Sequence, residues 1–161
     1  NMLYSYAEGE NSELTRINPV SAVPLYIENG LYVMKGMVDG AKKALEHGIP
    51  LGCGTDTGCP YVTHYDAWRE MAHLVKFLGV TPSFALYTMT LGNASIIHLE
   101  NEIGSVEVGK KADLVILPKN PMTEGFDVYK EIMMVIYNGK KIIQPKVKRN
   151  QQYEKLFEGV K

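Results

Sequence analysis

Cysteine is scarce in this chain: Cys53 and Cys59 are the two present in 161 residues. Two thiols cannot build a disulfide framework, and their spacing is not that of a CxxC redox or zinc motif. A reducing compartment is the default, so a cytoplasmic location is expected. Long apolar runs are missing too. The longest, Leu114 to Leu117 and Ile132 to Tyr137, are strand-sized, far short of the ~20 residues that span a bilayer. The opening Asn1-Met2-Leu3-Tyr4-Ser5 lacks the basic-then-apolar pattern of a signal peptide, and no membrane partner is expected. Nor is there an excess of one charge. Seventeen basic against 18 acidic residues leave a net charge of -1, which gives no basic surface for nucleic acid. Lys140, Lys141, Lys146, Lys148 and Arg149 cluster late, but Glu154 and Glu158 follow them, as in a solvated tail. Internal repeats and low-complexity segments are absent, and so are HxH and HExxH metal motifs.

What is there is an ordinary globular composition, 45% hydrophobic, enough for one domain or part of a larger one. Residues 1–30 show no sustained period, and Pro19 and Pro24 punctuate them. From Leu31 onward Met34, Met37, Val38, Ala41, Ala44 and Leu45 fall on one helical face. Gly48 suits the left-handed residue just past that helix, and His47 is placed to meet its last carbonyls. A short buried strand is expected over 49–54, running into Gly54-Thr55-Asp56. A second helix is expected from His64 or Tyr65, with Trp68, Met71, Ala72, Val75 and Leu78 on one face and Gly79 as its stop. Thr81-Pro82 reads as N-cap and first helical residue of a third helix, and a fourth is expected over Ala94 to His98. After Gly104 the period becomes strand-like: Ser105 to Val108, a turn at Gly109-Lys110-Lys111, Leu114 to Leu117, a turn at Asn120-Pro121, and a hairpin of Ile132–Tyr137 with Lys141–Ile143 about Asn138-Gly139. The expected division is 1–103, α/β; 104–144, a small β-rich module; and 145–161, a tail.

Asp56 stands first among residues that could carry chemistry. A carboxylate just beyond a buried strand, between Thr55 and Thr57, can point into a pocket lined by strand ends. There it could hold a metal ion or accept a proton; spacing alone favours an aspartate that merely caps the next turn. His64 lies eight residues on in the same loop, where contact with a small-molecule substrate is open, and Thr57 shares that loop. Cys59 as a nucleophile would need a partner base and a lowered pKa, and Tyr61 is its neighbour. His73 falls beside the apolar face of the second helix, as a packing or surface residue. Asp113, before a strand, is expected to bond its own turn.

Two segments together resemble a known family. Gly54-Thr55-Asp56-Thr57-Gly58 with His64 is similar to the loop after the last barrel strand of amidohydrolases, closest to the imidazolonepropionase and zinc-dependent Xaa-Pro dipeptidase group. Ala85-Leu86, Thr90, Ala94, Ile103-Gly104-Ser105, Gly109-Lys110-Lys111-Ala112-Asp113-Leu114-Val115 and Asn120-Pro121 resemble, in order and spacing, that family's passage from the last barrel helix into a small β-sandwich. Asn138-Gly139-Lys140 matches its closing hairpin. The similarity runs from about residue 33 to 144. His98 and the Gly92-Asn93 pair depart from the family pattern, which has a glycine at 98 and its asparagine earlier.

The resemblance implies an α/β fold: the C-terminal part of a (β/α)8 barrel, with the last strands of a small composite β-sandwich. It implies one or two divalent metals, usually zinc, and hydrolysis of amide or cyclic amide C–N bonds by a metal-activated water. Asp56 then corresponds to the aspartate that binds the metal and shuttles the proton, while His64 and Thr57 fall on the substrate side. The family's other ligands, an HxH pair, a carboxylated lysine or glutamate and two later histidines, find no match here. A barrel takes roughly 250 residues, so the expectation is a fragment whose partner is the missing N-terminal barrel portion. Alone it is expected to be inactive and to associate with copies of itself, because unpaired strand edges and bare helix faces would be left exposed. A non-catalytic folding or assembly module of the same fold is the competing expectation.

Overall fold

The computed structural model describes residues 24–58, 62–143, 148–151 and 154–155. They fall into two compact units: residues up to 40 together with those from 148 onward, and residues 41–147. Among the described residues no helix is long and apolar enough to cross a membrane.

The first helix, α1, runs Pro24–Glu46. It starts seven residues before the sequence period becomes visible, because proline at the first helical position begins a helix without needing an amphipathic face. Met34, Val38, Ala41, Ala44 and Leu45 are half-buried as the period requires, whereas Met37 is exposed. Its end is closed by a pair of reverse bonds, from Ile49 N–H to the Ala44 carbonyl at 2.9 Å and from Gly48 N–H to the Leu45 carbonyl at 3.0 Å. Gly48 at φ 67° is the left-handed residue that this motif demands. His47 meets the Lys43 carbonyl through Nδ1 at 2.8 Å.

In the second unit α2, Trp68–His73, continues into a π-helical turn over Leu74–Leu78 that Gly79 stops at φ 73°. The helix begins at Trp68 and not at His64, because Thr63 and Asp66 bond each other in a turn ahead of it. Pro82–Tyr87 forms α3, capped by Thr81, whose hydroxyl accepts the Phe84 N–H at 3.2 Å. A π-helical turn, Thr88–Gly92, joins it directly to α4, Asn93–Ile96, so the two helices expected here are one run with a wider turn at its middle. Thr88 and Thr90 donate their hydroxyls back to the Phe84 and Leu86 carbonyls, a competition with the backbone ladder that bends helices. Trp68, Met71, Ala85 and Phe126 form the core between these elements, with Met122 and Tyr129 packed against it. Phe126 belongs to a 3-10 segment, Phe126–Glu131. Ahead of it Asn120-Pro121 opens a short helix, α5, Pro121–Glu124, with the Asn120 side chain accepting the Met122 N–H at 2.9 Å.

Three strands make one antiparallel sheet in the order β1 (Leu114–Ile116), β2 (Met134–Tyr137), β3 (Lys140–Ile143). Val115, Val135 and Ile142 lie opposite one another on one face; Leu114 pairs with Ile136, and Ile116 with Met134, on the other. Both faces are thus apolar, as in strands meant to be covered on two sides. Asn138 and Gly139 have φ of 48° and 74°, the two left-handed residues of a tight hairpin turn.

Two expected strands are absent. Residues 105–108 form no ladder; Ser105, Glu107 and Lys110 bond one another, and Val106 and Val108 stay exposed. Residues 49–54, expected as a buried strand, belong to no ladder and none of them is buried; no neighbouring strand lies beside them among the described residues. Asp113 also departs from expectation: its carboxylate bonds Asn138 in the hairpin, not its own turn.

Candidate functional site

Exposure alternates along the segment that leads to Asp56. Leu51, Cys53 and Thr55 are half-buried, while Gly52, Gly54 and Asp56 are exposed. That period of two is a strand's, with one face against the helices and the other open. Asp56 ends the open face in the left-handed region, at φ 52°. Aspartate tolerates this conformation better than most residues, and its use marks a place where the chain is held against its preference. The hydroxyls of Thr55 and Thr57 bond at 2.6 Å on either side of it.

The segment is anchored from 40 residues away. Cys53 N–H donates to Asn93 Oδ1 at 2.8 Å, and Asn93 Nδ2 donates to the Cys53 carbonyl at 2.7 Å. Burial pushes the Cys53 thiol up to about 11, with the nearby charge of Glu70 adding to the rise, so this cysteine is a poor nucleophile. Burial likewise raises the Glu70 carboxyl and lowers the His73 imidazole to about 4, helped by the positive charges of Arg69 and Lys76. With the ring neutral, the 3.8 Å approach of His73 Nδ1 to Glu70 is a polar contact and not an ion pair.

Beyond the segment the loop is organised by a buried carboxylate, Asp66. Thr63 donates its hydroxyl to Asp66 at 2.9 Å, Trp68 its indole N–H at 3.1 Å, and Arg69 Nε lies 3.4 Å away. Arg69 and Lys130 both sit over the Trp68 ring, at 4.8 and 5.4 Å from its centroid, within cation–π range. His64 is exposed in the loop that Asp66 ties down, its ring edge-on to Tyr65 at 5.3 Å. Thr57 is exposed beside Asp56. Cys59 and Tyr61 lie outside the described residues.

An exposed carboxylate at the end of this segment is a hard oxygen donor of the kind that suits a divalent cation. Among the described residues no group of three or more His, Cys, Asp or Glu is arranged to hold one, so Asp56 could contribute one ligand of a larger set. Sequence reading missed Asn93 and Asp66. The signal for Asn93 was a carboxamide at helical spacing from Met89 and Ile96; for Asp66 it was an acid two residues ahead of a core tryptophan.

Two solved structures superpose on much of this chain. A prolidase-like protein from Bifidobacterium longum superposes with a TM-score of 0.80 at 38% identity, over 87% of this chain and 34% of that one. A Xaa-Pro dipeptidase with methionine in its active site gives 0.65 at 26% identity, over 82% and 33%. An imidazolonepropionase of Alkaliphilus oremlandii is 33% identical over 81 residues, 50% of this chain and 19% of that protein. A 5-methylthioadenosine/S-adenosylhomocysteine deaminase of Thermodesulfovibrio yellowstonii is 31% identical over 124 residues, 71% of this chain and 27% of that protein. The chain thus spans about a fifth of that imidazolonepropionase's length and about a third of the two solved structures. With the family model matched over residues 15–142, well over half its length, the chain belongs to the amidohydrolase family.

Proposed function

We propose that this chain forms the closing part of a barrel in a metal-dependent hydrolase of amide or cyclic amide C–N bonds, with Asp56 as metal ligand and proton shuttle. The observation that carries the reading is the position of Asp56, exposed on the open face at the end of a segment with strand periodicity. In a barrel that face looks inward, and the end after the last residue is where active sites are built. Zinc is the cation proposed. When bound, such a cation lowers the pKa of a coordinated water toward neutrality. The carboxylate of Asp56 would help to hold the cation, and would take a proton from the attacking water and pass it to the leaving nitrogen. His64 and Thr57, exposed in the same loop, would contact the substrate's polar groups.

Likeness to the prolidase-like structure over most of this chain favours dipeptides with an imino-acid end over the adenosine-type substrates of the deaminases among its relatives. Imidazolonepropionase-like cyclic amides and N-acyl amino acids are the next substrates to test. The remaining ligands are proposed to lie on barrel strands outside this chain. In keeping with that, few apolar residues are buried among those described, and Val115, Ile116 and Ile142 are each 40% exposed or more. Self-association of the lone chain follows, with light scattering as its check; a strictly monomeric species counts against a missing barrel.

Asp56→Asn in a polypeptide carrying the whole barrel tests the assignment. Hydrolysis of Xaa-Pro dipeptides is expected to fall by at least ~10²-fold, with weaker metal retention against a chelator. An unchanged kcat would end it.

A further inference from the structure

The carboxamide of Asn93 does for Cys53 what a residue of a neighbouring strand would do. It accepts the Cys53 N–H and donates to the Cys53 carbonyl, at 2.8 and 2.7 Å. That double exchange is the pattern of a hydrogen-bonded pair in an antiparallel ladder. A side-chain amide can copy it because it carries a peptide's donor and acceptor.

Several features serve this contact. A Cβ on Gly52 would stand 2.8 Å from Asn93 Oδ1 and 3.1 Å from Ile96 Cδ1, so a side chain at 52 would press on the carboxamide that makes this contact. A Cβ on Gly92 would lie 3.0 Å from the Tyr87 carbonyl oxygen, so a bare residue also precedes Asn93. The π-helical turn Thr88–Gly92 ends immediately before Asn93 and re-phases the residues after it relative to α3. Asn93 is half-buried, where two well-formed bonds hold geometry better than at a wet surface.

We propose that Asn93 is a positioning residue for Asp56: by clamping both peptide groups of Cys53 it fixes the path of residues 52–55 and so sets where the Asp56 carboxylate stands. This rests on reading Asp56 as a metal-holding carboxylate. Asn93 touches no reacting atom; it acts through three residues of backbone, as outer partners of metal ligands do.

The test uses a polypeptide carrying the whole barrel, with zinc as the probe. Amide exchange and alkylation are read at the Cys53 peptide by mass spectrometry, and zinc affinity by competition with a chelator. Asn93→Ala is expected to speed Cys53 exchange and alkylation at least ~10-fold and to weaken zinc 10–100-fold, about the range seen for outer-shell partners. If Asn93→Ala does not fold, Asn93→Asp carries the test. It keeps size and acceptor but sets an oxygen against the Cys53 carbonyl. Asp113→Ala, in the distant hairpin, controls for general loss of stability and should leave zinc affinity unchanged. If Asn93 variants leave Cys53 as protected as before, a neighbouring strand holds this edge and the proposal fails. It fails equally if Cys53 opens while zinc affinity stays unchanged. If Asp56→Asn itself leaves zinc affinity unchanged, the reading of Asp56 falls and takes the positioning role with it.

Discussion

The carboxylate of Asp113 accepts the backbone N–H of Asn138 at 2.6 Å, across 25 residues of sequence. Beside it Gly139 N–H donates to the Ala112 carbonyl at 3.1 Å. Two residues entering β1 therefore satisfy the turn between β2 and β3, and one end of the sheet is closed. Asp113→Ala removes an acceptor that solvent replaces only in part, so stability should fall by about 1 kcal/mol. Asp113→Asn, which keeps an acceptor oxygen, should lose less. Urea unfolding of the three proteins measures this, and equal midpoints would show that water serves the Asn138 N–H as well.

His98 stands at φ 59° where the helical run through α4 ends. Leu99 N–H reaches the Ala94 carbonyl at 2.8 Å and His98 N–H the Ser95 carbonyl at 3.2 Å, the same closing motif that Gly48 completes after α1. Here an L-residue occupies the glycine position, at a cost of roughly 1–2 kcal/mol. His98→Gly should raise stability by about 0.5–1 kcal/mol, the gain being trimmed by the freer unfolded chain. A lower melting temperature for this variant would mean that the imidazole makes a bond worth more than the strain.

These contrasts mark what could be read before the structure. Thr81-Pro82, Gly79 and Asn138-Gly139 act within a few residues of themselves, and each stands where the sequence places it. Residues 49–54 and 105–108 have strand composition, but a ladder needs a second chain segment that composition cannot supply. The starts of α1 and α2 were missed for the opposite reason: Pro24 and the Thr63–Asp66 turn are local geometry without hydrophobic period. Asp56 was legible only through its neighbours Gly54 and Thr55 and the distant Gly-Lys-Lys-Ala-Asp segment. Asn93 and Asp113 work across 40 and 25 residues, and no window of sequence shows such a pairing.

His73 gives the described core a pH dependence of definite sign. In the unfolded chain its imidazole takes up a proton near the ordinary 6.5, and in the folded chain only near 4, chiefly because it is buried. Between those values the unfolded state binds more protons, so stability rises with pH. The penalty is complete below about pH 4 and absent above about 6.5. With the side chain 29% exposed, about 1–2 kcal/mol is a reasonable size after allowing for solvent screening. Glu70, held above its ordinary value by burial, works the other way: its ionisation costs stability as pH rises from 4.5. His73→Gln should therefore remove the rise between pH 4 and 6.5 and expose the fall due to Glu70. A slope unchanged in His73→Gln would assign it to other groups.

Trp68 is the one tryptophan in the chain and reports directly on Asp66. Its indole N–H has the Asp66 carboxylate as partner at 3.1 Å, inside a core where both residues are buried. Asp66→Ala would strand that donor and the Thr63 hydroxyl, and would leave the Arg69 and Lys130 charges over the ring without the nearby anion. A buried donor left unsatisfied costs about 1–3 kcal/mol, so a loss of about 2–3 kcal/mol is expected, with a shifted fluorescence maximum in the folded state. Asp66→Asn keeps an acceptor for either Thr63 or the indole, and should fall between. Because the same carboxylate ties down the turn that carries His64, protease cleavage within 62–67 should quicken in Asp66→Ala before global unfolding begins. Cleavage that tracks global stability alone would show that this loop is held by something other than Asp66.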